Sequence, residues 1–133
     1  MRLREIRPPE WDSFLHVFSQ QHEGWLVTVE EVPRAAGGAR TEARELPLQG
    51  VFANPHEHSI SIALGRTPEQ HLTRTVTNPE RILVEQSDAG ADEALTIERQ
   101  SGRATRIKFK TAARPEEVDG LPTARPRRRL TGR

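Results

Sequence analysis

The chain has 133 residues with 20 basic and 19 acidic side chains, a formal net charge of +1, which suits one small domain and excludes an overall field built for nucleic acid or a membrane surface. Hydrophobic residues make up 34%; with the nine glycines the share is about 41%, below the roughly 45–50% of ordinary soluble domains, so the core is lean. The absence of cysteine removes disulfides, thiolate nucleophiles and cysteine-ligated zinc, and no apolar run approaches the ~18 residues of a membrane span.

The first predicted element is a helix over about residues 9–22. Pro8 and Pro9 suit a helix start, where a missing N–H costs nothing. Glu10 and Asp12 fall in the first turn, which favours acids. Trp11, Phe14, Leu15 and Phe18 follow at i, i+3, i+4 and i+7, one apolar stripe. Gly24 is assigned as a left-handed C-cap, and dipole and capping effects account for His22.

After Gly24 the pattern is that of strands. Trp25, Val27 and Val29 alternate with Leu26, Thr28 and Glu30. Residues 34–42 form a polar loop, and the segment around Pro47 and Gly50 is interrupted, which predicts an edge or bulged strand. Ile60, Ile62 and Leu64 alternate with Ser59, Ser61 and Ala63, and Leu72–Thr77 is another strand, stopped by the turn dipeptide Asn78-Pro79. Arg81–Gln86 then runs to a loop at residues 87–92. The last hairpin sets Leu95 opposite Ile107, Thr96 opposite Arg106 and Ala94 opposite Lys108. Its Gln100-Ser101-Gly102 loop places glycine where a positive φ is needed. A slip of one residue would bury the charges, so this register is well specified.

Strands at short spacing without intervening helices argue an antiparallel sheet. The expected fold is α+β: an N-terminal amphipathic helix packed on a meander-like antiparallel sheet of about six to seven strands, in one domain over residues 1–120. Residues 121–133 carry five arginines and no acid, leaving 15 basic against 19 acidic residues before them. With two prolines and no hydrophobic period, this Arg-rich tail reads as disordered.

Familiar catalytic signatures are missing. There is no Walker-type loop, G-x-G-x-x-G, G-x-S-x-G or H-E-x-x-H motif, and no tyrosine. The adjacent acid pairs Glu30-Glu31, Asp92-Glu93 and Glu116-Glu117 point to opposite faces if extended, so no general acid/base pair or catalytic residue is nominated. His56 and His58 share a face if extended, and His71 is a candidate third ligand for a divalent metal; the simpler reading is a solvated loop. Arg106, Lys108 and Lys110 form a basic row suited to phosphates, but cross-strand pairing with Asp92 and Glu98 explains it without a ligand. Arg125, Arg127, Arg128 and Arg129 are the candidate anion contacts, since guanidinium binds phosphate bidentately; the simpler reading is a solubilising end.

The stretch from Trp11 to Glu30, WDSFLHVFSQQHEGWLVTVE, resembles an uncharacterised bacterial family, domain of unknown function 5335. The resemblance continues through Ser59–Gly65, His71-Leu72-Thr73, Asn78-Pro79 and Gly90–Leu95, and spans about residues 3–120. It implies a small bacterial cytoplasmic protein and brings no activity, cofactor or catalytic residue. Three functional readings stand. The first is a non-enzymatic module binding a protein partner through its sheet, with homodimerisation as a way to cover a lean core. The second is an RNA- or ribosome-associated factor docked through the Arg tail. The third is a metal-dependent enzyme at the His56/His58 loop.

Overall fold

A computed structural model of the protein describes residues 2–33 and 39–113. Strand β1 (Arg2–Ile6) and a 3-10 turn at Pro8–Glu10 precede helix α1 (Trp11–His22). Strands β2 (Leu26–Val32), β3 (Arg40–Asn54), β4 (Ser59–Gly65), β5 (His71–Thr77), β6 (Pro79–Gln86), β7 (Asp92–Arg99) and β8 (Ala104–Ala113) follow. All pair antiparallel, in the order β1-β6-β7-β8-β2-β3-β4-β5. The α+β antiparallel expectation holds. Among the described residues the strands number eight rather than six to seven, and the meander is divided: β2–β5 and β6–β8 are two meanders joined where β8 pairs with β2. The extra strand is β1, whose sequence RLREI buries only Ile6 and leaves Leu3 exposed. It has no alternating apolar face to read.

The helix stripe is buried as its spacing requires. Leu15 and Phe18 lie in the core, with Trp11 and Phe14 packed against it. The helix ends differently from the expectation. Glu23 is extended (φ −60°, ψ 129°), Gly24 has φ +86°, and the Trp25 N–H donates to the His22 carbonyl at 3.0 Å. This is a type II turn with glycine at its third position, where φ must be positive. Gly24 therefore aims the chain into β2 rather than capping the helix.

The segment around Pro47 and Gly50 is also corrected. β3 is continuous through both residues and lies inside the sheet, so it is not an edge; the register shifts at Val27–Val29 and Leu48–Gly50 make it bulged. Its first half pairs with β2 as far as Pro47 and its second half with β4 from Leu48. Proline's missing N–H thus falls where the strand changes partners. The last hairpin follows the expected register, with Leu95 opposite Ile107, Thr96 opposite Arg106 and Ala94 opposite Lys108. Gly102 has φ +91° in its loop.

The sheet curls. Arg99 in β7 donates to the Thr77 carbonyl in β5 at 3.2 Å, although five strand positions separate them. In a flat sheet those strands would be roughly 24 Å apart. The curl encloses one core that unites Ile60, Ile62, Leu64 and Val76 from β4 and β5 with Val29, Ile82, Ile97 and Ile107 from the other half, under Leu15 and Phe18 of the helix.

Beyond Pro47, α1 takes the place of β2 beside β3. The Ser19 hydroxyl donates to the Val51 carbonyl at 3.0 Å and accepts from the Val51 N–H at 2.7 Å. Gly24 N–H donates to the Leu48 carbonyl, and Leu48 N–H to the Trp25 carbonyl, at 2.8 and 2.9 Å. One helix side chain and one turn thereby satisfy strand groups that would otherwise be buried unpaired.

Candidate functional site

Among the described residues, the one fully buried titratable side chain, His22, lies at the end of α1. His22 is fully buried, stacked against Phe18 and Phe109 with ring centroids 4.3 and 4.7 Å away. Its Nδ1 is 2.8 Å from the Phe18 carbonyl, and its Nε2 is 3.3 Å from Asp92 Oδ2. Nε2 makes no hydrogen bond of good geometry, although the Asp92 carboxylate lies beside it. Burial pushes the Asp92 carboxyl up, but the His22 and Gln86 side chains and the positive charges of His22 and Arg4 outweigh it and hold the carboxyl below its usual value. Gln86 Nε2 donates to Asp92 Oδ1 at 2.9 Å. The sequence reading left His22 as a capping residue. Its place in the core follows from extending the apolar stripe: Trp11, Leu15, Phe18 and His22 lie on one face of the helix.

The basic row on β8 faces outward, with partners other than those expected. Arg106 is bidentate to Glu85, at 2.8 and 3.1 Å, and reaches Glu30 at 3.8 Å. Lys108 pairs with Glu30 at 3.6 Å and Lys110 with Glu45 at 3.1 Å. Asp92 is turned to His22, and Glu98 pairs with Arg81. The expected pairing missed β2 because its neighbour in the sheet, β8, lies 72 residues or more away in sequence for every pair of the ladder. A shallow cleft of about 320 Å³ opens here among Thr28, Glu30, Arg44, Glu45, Lys108 and Lys110. Its carboxylates are already engaged by its lysines, which leaves little for a ligand beyond Arg44. Glu30 and Glu31 point to opposite faces, as expected: Glu31 accepts from Thr105 at 2.9 Å and pairs with Arg99.

The histidines named from sequence do not converge. His58 immediately precedes β4, whereas His71 pairs with Gly65 at the other end of that strand, a separation of roughly 20 Å. His56 lies in an exposed 3-10 turn and His71 contacts the Thr73 hydroxyl at 3.0 Å. Among the described residues no three His, Asp or Glu side chains are grouped to hold a metal ion. Arg125, Arg127, Arg128 and Arg129 lie outside the described residues, as does Glu116-Glu117.

The outward surface of β3, β4 and β5 has a different character. Cross-strand rows run Gly50–Ala63–Thr73, Phe52–Ser61–Thr75 and Asn54–Ser59–Thr77. None of these nine residues is Asp, Glu, Lys or Arg, in a chain that is 29% charged. Asn54 Nδ2 donates to the Ser59 and Ser61 hydroxyls at 3.2 and 2.9 Å, and Phe52 is 46% exposed. The opposite face of the same strands carries Ile60, Ile62, Leu64 and Val76 into the core. β5 closes this end of the sheet and pairs only with β4.

A curled antiparallel sheet, one helix packed into its core and a neutral outward patch define a small α+β protein. The model of the family of unknown function DUF5335 matches residues 2–118, and the chain belongs to that family. No curated protein and no solved structure is significantly similar to it. Among the described residues no helix is long and apolar enough to cross a membrane.

Proposed function

We propose that the protein is a non-enzymatic interaction module of the bacterial cytoplasm that binds a protein partner through the β3–β4–β5 end of its sheet. The observation that carries this reading is the set of three uncharged rows that end on β5, the last strand in the sheet order. A neutral surface is cheaper to desolvate than a charged one, and the centres of protein interfaces are depleted in charge and enriched in aromatics such as Phe52. The reading does not need the interruption at Pro47, which lies inside the sheet.

Affinity capture from a bacterial lysate with wild type, Thr75→Lys and Val17→Lys tests it. Val17 is exposed on the helix and belongs to none of the rows. A lysine in the contact surface should lower recovery of a specific partner roughly tenfold or more, and the helix variant should leave it unchanged. Equal recovery with all three proteins, or equal loss with both variants, refutes the assignment.

A further inference from the structure

The two ends of the sheet are not alike. β1 places Arg2, Arg4 and Glu5 among its five residues, a charged edge of the kind that discourages pairing. β5 reads HLTRTVT, with Thr73, Thr75, Val76 and Thr77 β-branched and Arg74 its one Asp, Glu, Lys or Arg residue. Such a strand suits pairing on both sides. Its inward-facing residues are Leu72, Arg74 and Val76, opposite Leu64, Ile62 and Ile60. Val76 is buried, whereas Leu72 is 38% exposed and the Arg74 side chain 42% exposed.

Arg74 Nη2 lies 2.8 Å from Glu42 Oε1, and Arg40 Nε donates to Glu42 Oε2 at 2.9 Å. Two guanidinium groups share one carboxylate, so the Arg40–Glu42–Arg74 group, which includes the middle residue of β5, carries a net positive charge. Glu42 is the only ion-pair partner of Arg74 among the described residues, and four of its five N–H donors remain for another acceptor.

We propose that β5 accepts an extended segment of the partner as an added strand, and that this segment carries a carboxylate beside Arg74 and an apolar side chain two residues away beside Leu72. The inference rests on the reading of β3–β4–β5 as the contact surface and specifies the partner's chemistry. Strand addition gives affinity through main-chain hydrogen bonds, and alternate side chains give specificity. Residues two apart on the added strand face the same side, so Leu72 and Arg74 select an apolar residue and an acid at that spacing. Opposite charges across neighbouring strands are favourable.

The test pans a display library of random nine-residue peptides against the full chain, then maps binding by amide hydrogen exchange. The expected result is enrichment of peptides with Asp or Glu two positions from an apolar residue, with new protection at His71–Thr77. Changing that acid to its amide should weaken binding roughly two- to fivefold, and Arg74→Gln should erase the difference between the two peptides. Because the peptide change needs no protein variant, the result does not depend on how Arg74→Gln folds. Peptides that protect β5 without preferring an acid would overturn this inference and leave the proposed surface standing. Protection at β1, protection of His71–Thr77 that rises with protein concentration without peptide, or no protection at β5 would overturn strand addition by a partner altogether.

Discussion

Ser19→Ala is the sharpest test of how α1 and β3 hold together. The Ser19 hydroxyl serves both polar groups of Val51, at 3.0 and 2.7 Å, and Ser19 and Val51 are both buried. Alanine removes a single oxygen but leaves a buried N–H and a buried C=O without partners. Each stranded group costs about 1–3 kcal/mol, so the loss is about 2–4 kcal/mol after some relaxation. Against a typical domain stability of about 5–15 kcal/mol this is a large fraction, and for a domain of this size it lowers Tm by roughly 10 °C. Urea unfolding followed by circular dichroism measures the free energy, and hydrogen exchange reads the Val51 amide directly. The amide should lose protection more than those of Ile62 or Ile107. A loss below about 0.5 kcal/mol, the range of ordinary surface substitutions, would mean that water or a shifted backbone replaces the hydroxyl and that α1 does not close the open side of β3.

Three further substitutions probe the core, the β4–β5 hairpin and the α1–β2 turn. Asp92→Asn removes the charge facing His22 and should cost about 2 kcal/mol near pH 7. The native Asp92 carboxyl is held below its ordinary value of 3.8, so its contribution is complete above that value and disappears as pH falls through the native one. The stability gap between wild type and variant, from urea titrations at several pH values, should therefore narrow as pH falls below 3.8 and close below the native value; a gap independent of pH would rule out a stabilising Asp92 carboxylate. Gly65→Ala should cost about 3 kcal/mol, because φ is +136° and a Cβ would collide with the Gln70 carbonyl oxygen. Gly24→Ala, with φ +86° and open space around the added carbon, should cost only about 1–2 kcal/mol. Thermal melts that rank the two in reverse order would contradict the hairpin geometry.

Most of the architecture was legible because local pattern and final environment agree. Trp11, Phe14, Leu15 and Phe18 mark the helix face that meets the core. The β7–β8 hairpin is readable to the residue, since its short loop fixes the register and the charges forbid a slip. What was not legible depends on contacts distant in sequence. β8 finds β2 rather than another neighbour, which decides that Glu30, not Asp92, meets Lys108. Pro47 looks like an edge marker until β3 is seen to change partners there. Ser19 has no sequence signature at all: a serine on a helix shows nothing of the open strand beside it. The histidine triplet failed for a geometric reason, because β4 separates His58 from His71 by its whole length.

The neutral rows on β3–β4–β5 are not accounted for by packing alone. Gly50 and Phe52 have a local explanation, since the Phe52 ring lies where a Cβ at Gly50 would be and so covers an otherwise bare backbone. That explanation stops at Phe52. Thr77 accepts from Arg99 through its hydroxyl and its carbonyl, but Thr73 and Thr75 are exposed at the sheet's end, where water would accept Lys or Glu as readily. The other half of the same sheet shows what this chain does with an outward face that meets only solvent: it ties Glu85, Arg106, Glu30 and Lys108 into an ion-paired ladder. One sheet thus treats its two outward halves by different rules. With Arg74 as its one charged residue, beside a face left uncharged, β5 has less of the usual protection against strand pairing than β1 with Arg2, Arg4 and Glu5. The two features coincide on β5, as the proposed surface for an extended partner requires, whereas threonine's preference for strands accounts only for the strand itself.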